Sequence, residues 1–185
     1  SAVDVVSCCE GGNRKVFAHW APSGKGKYLE AAAWKTLSFP VVDNKTQWMF
    51  ALPMELDGAA GVDLVVGAKG SGACVGWLRS PPAARDMRAW TFHSWYQAGW
   101  IMSLISHDVD GDGDIDVVVS DRKGKKPGVL WLENPGRQAV SENPDLAWRE
   151  HRMGASGKEV LFVSLYDLDG DGRKEAAVTA KPNRV

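Results

Sequence analysis

The residues with the clearest chemistry are aspartates that occupy every second position of one short segment. They are Asp108, Asp110, Asp112, Asp114 and Asp116. These carboxylates repel one another, and a hard divalent cation is the simplest compensation, because calcium binds about six to eight oxygens from carboxylates, carbonyls and water. Gly111 and Gly113 permit the tight turn that lets alternate residues converge on one ion. The spacing therefore predicts a calcium-binding loop over residues 108–116.

A second loop repeats this pattern. Its acids are Asp167, Asp169, Asp171 and Glu175. An EF-hand is the main alternative, but the twelfth residue of that loop is a glutamate, whereas Val119 and Val178 stand there in this chain. Each loop also leads into a run of valine or alanine that is typical of a strand, where an EF-hand has a helix. Both loops therefore predict calcium-binding β-hairpins, with a solvated acidic turn without metal as the alternative.

A third loop, Glu55–Asp63, has the same length but an incomplete set of acids. It keeps Glu55, Asp57 and Asp63, whereas Ala59 removes the carboxylate at the fifth position. We expect the metal site of this loop to be vacant or weak.

The loops belong to an internal repeat that extends along the chain. The acids that end the loops, and one acid near the N-terminus, are spaced 59, 53 and 59 residues apart; they are Asp4, Asp63, Asp116 and Glu175. Two tryptophan columns follow the same period, and together they hold six of the nine tryptophans. The first column is Trp20, Trp77 and Trp131, and the second is Trp34, Trp90 and Trp148. Most of the tryptophan is therefore predicted to be architectural.

Each repeat unit is predicted to form four short strands, because apolar runs alternate with turn residues and the chain holds 20 Gly and 9 Pro. In the second unit the predicted strands are 48–55, 62–68, 73–79 and 90–95, and in the third they are 100–107, 115–120, 128–133 and 148–153. The segment Tyr28–Lys35 alone looks helical. Four strands per unit of this length are typical of a β-propeller blade.

We therefore predict an all-β domain of four-stranded antiparallel propeller blades, with just over three repeats present. The units cover about 1–40, 48–95, 100–153 and 160–185, of which the first lacks its first strand and the last is incomplete. Such a partial propeller needs either further chain or self-association of copies to close its ring.

The loop pattern D-x-D-G-D-G-x-x-[D/E], followed by a valine-rich strand and by Trp-x-x-x-Pro, resembles the calcium-binding β-propeller repeats of the FG-GAP and VCBS class, to which integrin alpha-chain loops are related. The resemblance implies that loop positions 1, 3, 5 and 9 supply side chains and that position 7 supplies its carbonyl. The first set would be Asp108, Asp110, Asp112 and Asp116 with the carbonyl of Asp114. The second would be Asp167, Asp169, Asp171 and Glu175 with the carbonyl of Arg173. The resemblance thus implies two Ca²⁺ ions, with Glu175 departing from the usual aspartate.

Two further groups of residues are candidates for binding a ligand. Lys69, Arg122 and Lys181 each lie six residues beyond a loop-ending acid, so an arc of cations could face a shared anionic ligand. The alternative is ordinary surface cations that pair with nearby acids. A second candidate is an aromatic platform for a sugar ring, formed by residues outside the tryptophan columns, with core packing as its alternative. Its members are Trp95, Tyr96 and Trp100.

Composition narrows the classes of function. The formal net charge of −1 argues against a nucleic-acid-binding protein, and no apolar run approaches the length of a membrane span. Three cysteines show neither metal-ligand spacing nor an even disulfide set. The N-terminal residues lack the pattern of a signal peptide, although calcium-dependent loops favour an extracellular or periplasmic setting.

The leading hypothesis is a non-catalytic binding or scaffold module that recognises a glycan or a protein. The alternative is the propeller part of a carbohydrate-active enzyme, of polysaccharide lyase or sugar dehydratase type, that acts on an anionic sugar. The sequence contains no nucleophile elbow, phosphate loop or metalloprotease helix, and fold alone does not decide between the two.

Overall fold

The computed structural model describes residues 3–24, 26–59 and 61–181. Within these residues the chain forms 13 strands in four antiparallel sheets. The all-β prediction is confirmed, including the two complete four-stranded units. Residues 1 and 2 of the first unit and residues 182–185 of the last unit lie outside the described residues.

The strands follow one another along each sheet in chain order. The first sheet contains β1 (Val5–Cys9), β2 (Lys15–Trp20) and β3 (Lys35–Ser38). The second contains β4 (Gln47–Met54), β5 (Asp63–Lys69), β6 (Cys74–Arg79) and β7 (Thr91–Gln97). The third contains β8 (Ile101–His107), β9 (Asp116–Asp121), β10 (Gly128–Glu133) and β11 (Arg149–Gly154). The fourth contains β12 (Val160–Tyr166) and β13 (Glu175–Ala180).

The predicted strands of the second and third units agree with these bounds to within two residues. The prediction of a helix at Tyr28–Lys35 is wrong, because the segment holds only a 3-10 turn at Ala31–Ala33. A short segment has little helical preference of its own, because helix nucleation is costly and packing decides the outcome; here Lys35 already begins β3. The short helix α1 (Arg137–Glu142), between β10 and β11, was not predicted.

The central strands β5 and β9 are buried on both faces, which explains their unbroken apolar runs. Leu64, Val65 and Val66 are at most 4% exposed, and Val117–Val119 are fully buried. Apolar clusters fill the spaces between successive sheets, so each sheet packs on its neighbour. Gly67 allows a close approach, since an added Cβ would lie 2.9 Å from Cγ2 of Ile101 in the next sheet.

The tryptophan columns have a structural explanation. Trp77, Trp90 and Trp148 are buried, and the ring of Trp148 stacks on Trp95 with a centroid distance of 4.0 Å. Trp34 and Trp90 repeat the same contact, because each indole nitrogen donates to the carbonyl six residues earlier. Most of the tryptophan residues therefore contribute to packing, as their regular spacing in the repeat predicts.

Among the described residues, no helix is both long enough and apolar enough to cross a membrane.

Candidate functional site

All three acidic loops connect the first two strands of a four-stranded or two-stranded sheet. They lie between β4 and β5, between β8 and β9, and between β12 and β13. Because each loop closes an antiparallel hairpin, its last acid pairs with the residue just before its first acid, which brings the two ends of the loop together. The hairpin thus positions the carboxylates.

The 108–116 loop curls around its own first aspartate. The amides of Gly111 and Gly113 donate to the two carboxylate oxygens of Asp108 at 2.8 and 3.1 Å. Further along the loop, the amide of Asp112 donates to Asp110 and the amide of Asp114 donates to Asp112. Both glycines have positive φ, of 80° and 95°, which other residues adopt at a cost.

The 167–175 loop has the same internal bonds at the same positions. Gly170 and Gly172 donate to Asp167 at 2.7 and 2.9 Å, and their φ angles are 80° and 88°. The amide of Asp171 donates to Asp169, and the amide of Arg173 donates to Asp171. Two segments that are far apart in the chain therefore adopt one local structure.

Three groups of carboxylates could each hold an ion, since their oxygen atoms lie within 4.8 Å of one another. The groups are Asp108, Asp110 and Asp116; Asp167, Asp169 and Glu175; and Glu55, Asp57 and Asp63. The predicted fifth-position ligands Asp112 and Asp171 lie outside these groups. Asp114 is the seventh-position residue, and one of its carboxylate oxygens lies close to Gly136.

The acid that ends each loop also has a structural role that the spacing did not predict. Asp116 is 1% exposed, and it accepts hydrogen bonds from the amides of Val109 and Asn134 at 2.9 and 2.8 Å. It therefore ties the start of its loop to the end of β10. Asp63 accepts equivalent bonds from Leu56 and Ser80.

Burial raises the pKa of Asp116 to about 6, and burial likewise raises the pKa of Asp63 to about 6. Desolvation is the largest cause in both cases, and neighbouring loop acids add to it. A nearby cation would favour the charged form of these carboxylates.

The degenerate loop receives a cation from the protein itself. Nε of Arg79 donates to Asp57 at 2.6 Å, and the Asp57 side chain is only 2% exposed. The equivalent residue of the third unit is Glu133, which carries the opposite charge. The arginine in Trp77-Leu-Arg-Ser-Pro is thus a sequence signal for a loop that compensates its acids without the full ligand set.

A groove of about 620 Å³ runs between the two complete loops. His107, Asp108 and Asp110 line one side of it, and Arg173 and Glu175 line the other. Loops of neighbouring sheets therefore lie next to each other.

The three predicted cations each pair with an acid. Lys69 forms an ion pair with Glu10. Arg122 and Lys181 share Glu159, each at 3.2 Å. These contacts correspond to the alternative interpretation of the column, in which surface cations pair with nearby acids.

The structure brings two of these cations to one aromatic ring. Lys69 and Arg122 both lie 4.7 Å from the centroid of Trp100, and Lys123 lies 5.1 Å from it. Trp100 itself is half-buried at the start of the third unit. Three cations thus pack around the half-buried ring of Trp100.

The other two members of the predicted aromatic platform lie in the core. Trp95 is 7% exposed and stacks on Trp148, and Tyr96 is 4% exposed. Burial and the charge of Asp121 raise the pKa of the Tyr96 hydroxyl, which donates to that carboxylate at 3.1 Å. Neither ring offers a face to a ligand in this structure.

Asp121 is a buried acid whose role was missed from the sequence. It is 1% exposed, and it accepts hydrogen bonds from Tyr96 and from the amides of Gly99 and Trp100. The equivalent residues of the neighbouring units, Ala68 and Ala180, are not acidic, so the repeat pattern gives no signal for it. Asp121 fixes the turn that presents Trp100.

Two of the histidines occupy equivalent places, opposite the first tryptophan column. His93 lies across from Trp77 and bonds to Asp145 at 2.7 Å, and His151 lies across from Trp131 and bonds to Glu133. Both rings pack against the tryptophan opposite them.

The part of the chain that holds both complete loops also matches a known protein family. Residues 108–178 match the family described as FG-GAP-like repeat. This stretch begins at the first acid of one complete loop and ends in the strand that follows the other, so it contains both loops. Residues 108–178 are therefore an FG-GAP-like repeat, as the loop pattern indicated. No curated protein and no solved structure gives a significant match to the chain.

Proposed function

We propose that the chain is a calcium-stabilised binding module with two Ca²⁺ sites. The observation that carries this proposal is the identical curl of loops 108–116 and 167–175, in which the same amides order the same carboxylates. The first ion would be bound by Asp108, Asp110, Asp112 and Asp116 with the carbonyl of Asp114. The second would be bound by Asp167, Asp169, Asp171 and Glu175 with the carbonyl of Arg173.

Calcium in these loops would act on stability rather than on chemistry. Each ion would offset the repulsion between acids and hold a hairpin that projects beyond its sheet. The third loop needs no ion, because Arg79 already neutralises Asp57. We place the module in an extracellular or periplasmic setting, where calcium is abundant.

The module would recognise a glycan or a protein, and Trp100 is the residue proposed to contact it. Its half-buried ring lies beside Lys69 and Arg122, which suits a sugar that carries negative charge. Lys181 belongs to the same network through Glu159. The propeller ring itself would be completed by further chain or by copies of this one.

The calcium sites predict a stabilisation that depends on the metal. Each ion that binds only the folded chain adds about 2.7 kcal/mol when free calcium is about 100-fold above Kd. Titration calorimetry should give two ions per chain, and the melting temperature should fall when a chelator is added. Magnesium should have a smaller effect, because it gives up its waters reluctantly.

Two variants provide the comparison for this experiment. The double substitution D110N/D169N should abolish the response to calcium, whereas E55Q in the degenerate loop should leave it unchanged. A melting temperature that is the same in calcium and in chelator, with no metal bound, would contradict the proposal.

The recognition surface predicts a loss of ligand binding when Trp100 is truncated. On a glycan array, W100A should bind the glycans that the unaltered chain recognises about tenfold more weakly or worse, since aromatic anchors dominate such contacts. The control is Y166A, which removes an aromatic ring that is 69% exposed on a different sheet. Undiminished binding by W100A would place the ligand elsewhere. In a separate assay, release of unsaturated product from an anionic polysaccharide would show that the module belongs to an enzyme.

A further inference from the structure

A cleft in the first unit takes no part in the sites described so far. Its volume is about 500 Å³, and it lies where the end of β2 and the segment before β3 meet the loop between β6 and β7. Its lining includes Trp20 and Lys35 from the first unit and Arg85 from the second. The cleft thus joins two successive repeat units.

The charge of this cleft has one sign. Among the described residues that line it, three are cations and none is a carboxylate. Lys27, Lys35 and Arg85 are exposed, and within the described part of the chain none of them forms an ion pair. They differ in this from Lys69 and Arg122, which are paired. A concave surface with unpaired cations concentrates positive potential and attracts an anion.

One of the cations is held in place by an aromatic ring. The guanidinium of Arg85 lies 5.1 Å from the centroid of Trp20. A guanidinium held in this way loses less freedom when it binds, and its fork of donors matches the two oxygens of a carboxylate or sulfate. Lys27 and Lys35 add point charges that tolerate a range of positions.

The uncharged part of the lining combines apolar side chains with a hydroxyl group, a combination that suits a sugar. Trp20, Pro22 and Ala33 offer apolar surface, and Ser23 offers a hydroxyl. A saccharide ring has apolar faces and a polar edge, so apolar contact and a few polar groups suffice to orient it. A small inorganic anion would use only the cations.

We propose that this cleft binds an anionic saccharide, one whose sugar residues carry sulfate or carboxylate groups. The charged group lies against Arg85, Lys27 and Lys35, and the ring packs beside Trp20. The inference rests on the proposed function as a binding module, but it uses a surface separate from Trp100 and from both calcium loops.

The test measures binding to the intact chain by titration calorimetry in calcium. The probes are a sulfated heparin-derived oligosaccharide, an oligogalacturonate of the same length, a neutral dextran oligomer and inorganic sulfate. At least one charged oligosaccharide should bind, and the neutral one should not. The double substitution K27E/R85E should weaken binding by about tenfold or more, because it reverses two contacts to charged groups.

The matched control is K125E/R152E, which makes the same change of charge at two exposed residues of the third unit, outside the cleft. Binding by this control should stay within about twofold of the unaltered chain, since exposed charges far from a site are screened by salt. Both double variants alter exposed side chains, so their melting temperatures should match that of the unaltered chain.

Three outcomes would overturn the proposal. Equal weakening by both double variants would show non-specific attraction, and equal affinity for inorganic sulfate and for the charged oligosaccharides would show a small-anion site. Failure of every charged oligosaccharide to bind would remove the site altogether. Binding that W100A removes and K27E/R85E leaves unchanged would also overturn the proposal, because the saccharide would then lie at Trp100. The calcium response depends on none of these outcomes, so this proposal and the calcium-stabilised module can fail separately.

Discussion

At the scale of single residues, the loop-ending acid explains why an incomplete loop keeps its shape. Asp63 ends the degenerate loop and still accepts amides from Leu56 and Ser80, as Asp116 accepts amides from Val109 and Asn134. The acid at the ninth loop position therefore stabilises the hairpin even without a bound metal. The fifth position has only an exposed hydrogen bond within its own loop.

This difference predicts that substitutions at the two positions have unequal effects on the free energy of unfolding when no metal is bound. In chelator, D116A should lower the free energy of unfolding by about 1–3 kcal/mol, because it leaves one buried and one part-buried amide without an acceptor. D112A should change it little, because its side chain is exposed. Urea denaturation in chelator and in calcium measures both effects, and equal stability of the two variants in chelator would refute the structural role of Asp116.

At the scale of elements, the turn between β7 and β8 connects two sheets. The amide of Gly70 donates to the carbonyl of Gly99, and the amide of Arg122 donates to the carbonyl of Trp100. The turn is thus enclosed by the β5–β6 turn on one side and by the β9–β10 loop on the other. Gly99 lies where these backbones come closest.

A methyl group at Gly99 should therefore destabilise the chain. A Cβ there would clash with the backbone of Lys123 and Gly124, which cannot move as a flexible side chain can. We expect G99A to lower the free energy of unfolding by about 1–3 kcal/mol and to weaken binding at Trp100. The matched control is G154A, whose Cβ would meet nothing within 4 Å. Equal denaturation midpoints for the two variants would contradict this packing.

At the scale of the whole molecule, the sheets form a row in which each contacts its neighbours. Apolar clusters connect the first sheet to the second, the second to the third and the third to the fourth. At the two ends of this row, Val5 is 46% exposed and Phe162 is 59% exposed. Such surfaces and the strand edges beside them are suited to association, so completion of the ring by further chain or by copies stays a prediction.

The loops, the repeat and the strands were all determined by the sequence alone. The reason is that each depends on residues close in the chain, as when Gly111 and Gly113 bond to Asp108. Repetition then reinforces these local signals. The incorrect prediction of a helix at Tyr28–Lys35 concerns a short segment, in which local preference is weak.

Only the tertiary structure decided which charges are compensated and which are free. Arg79 reaches Asp57 across 22 residues, and Asp121 reaches Tyr96 across 25. The Trp20 cleft depends on Arg85 from the next unit. These contacts join residues that are distant in the chain and that do not recur from unit to unit. Their energies depend on the packing of whole sheets against each other, which neither spacing nor composition encodes.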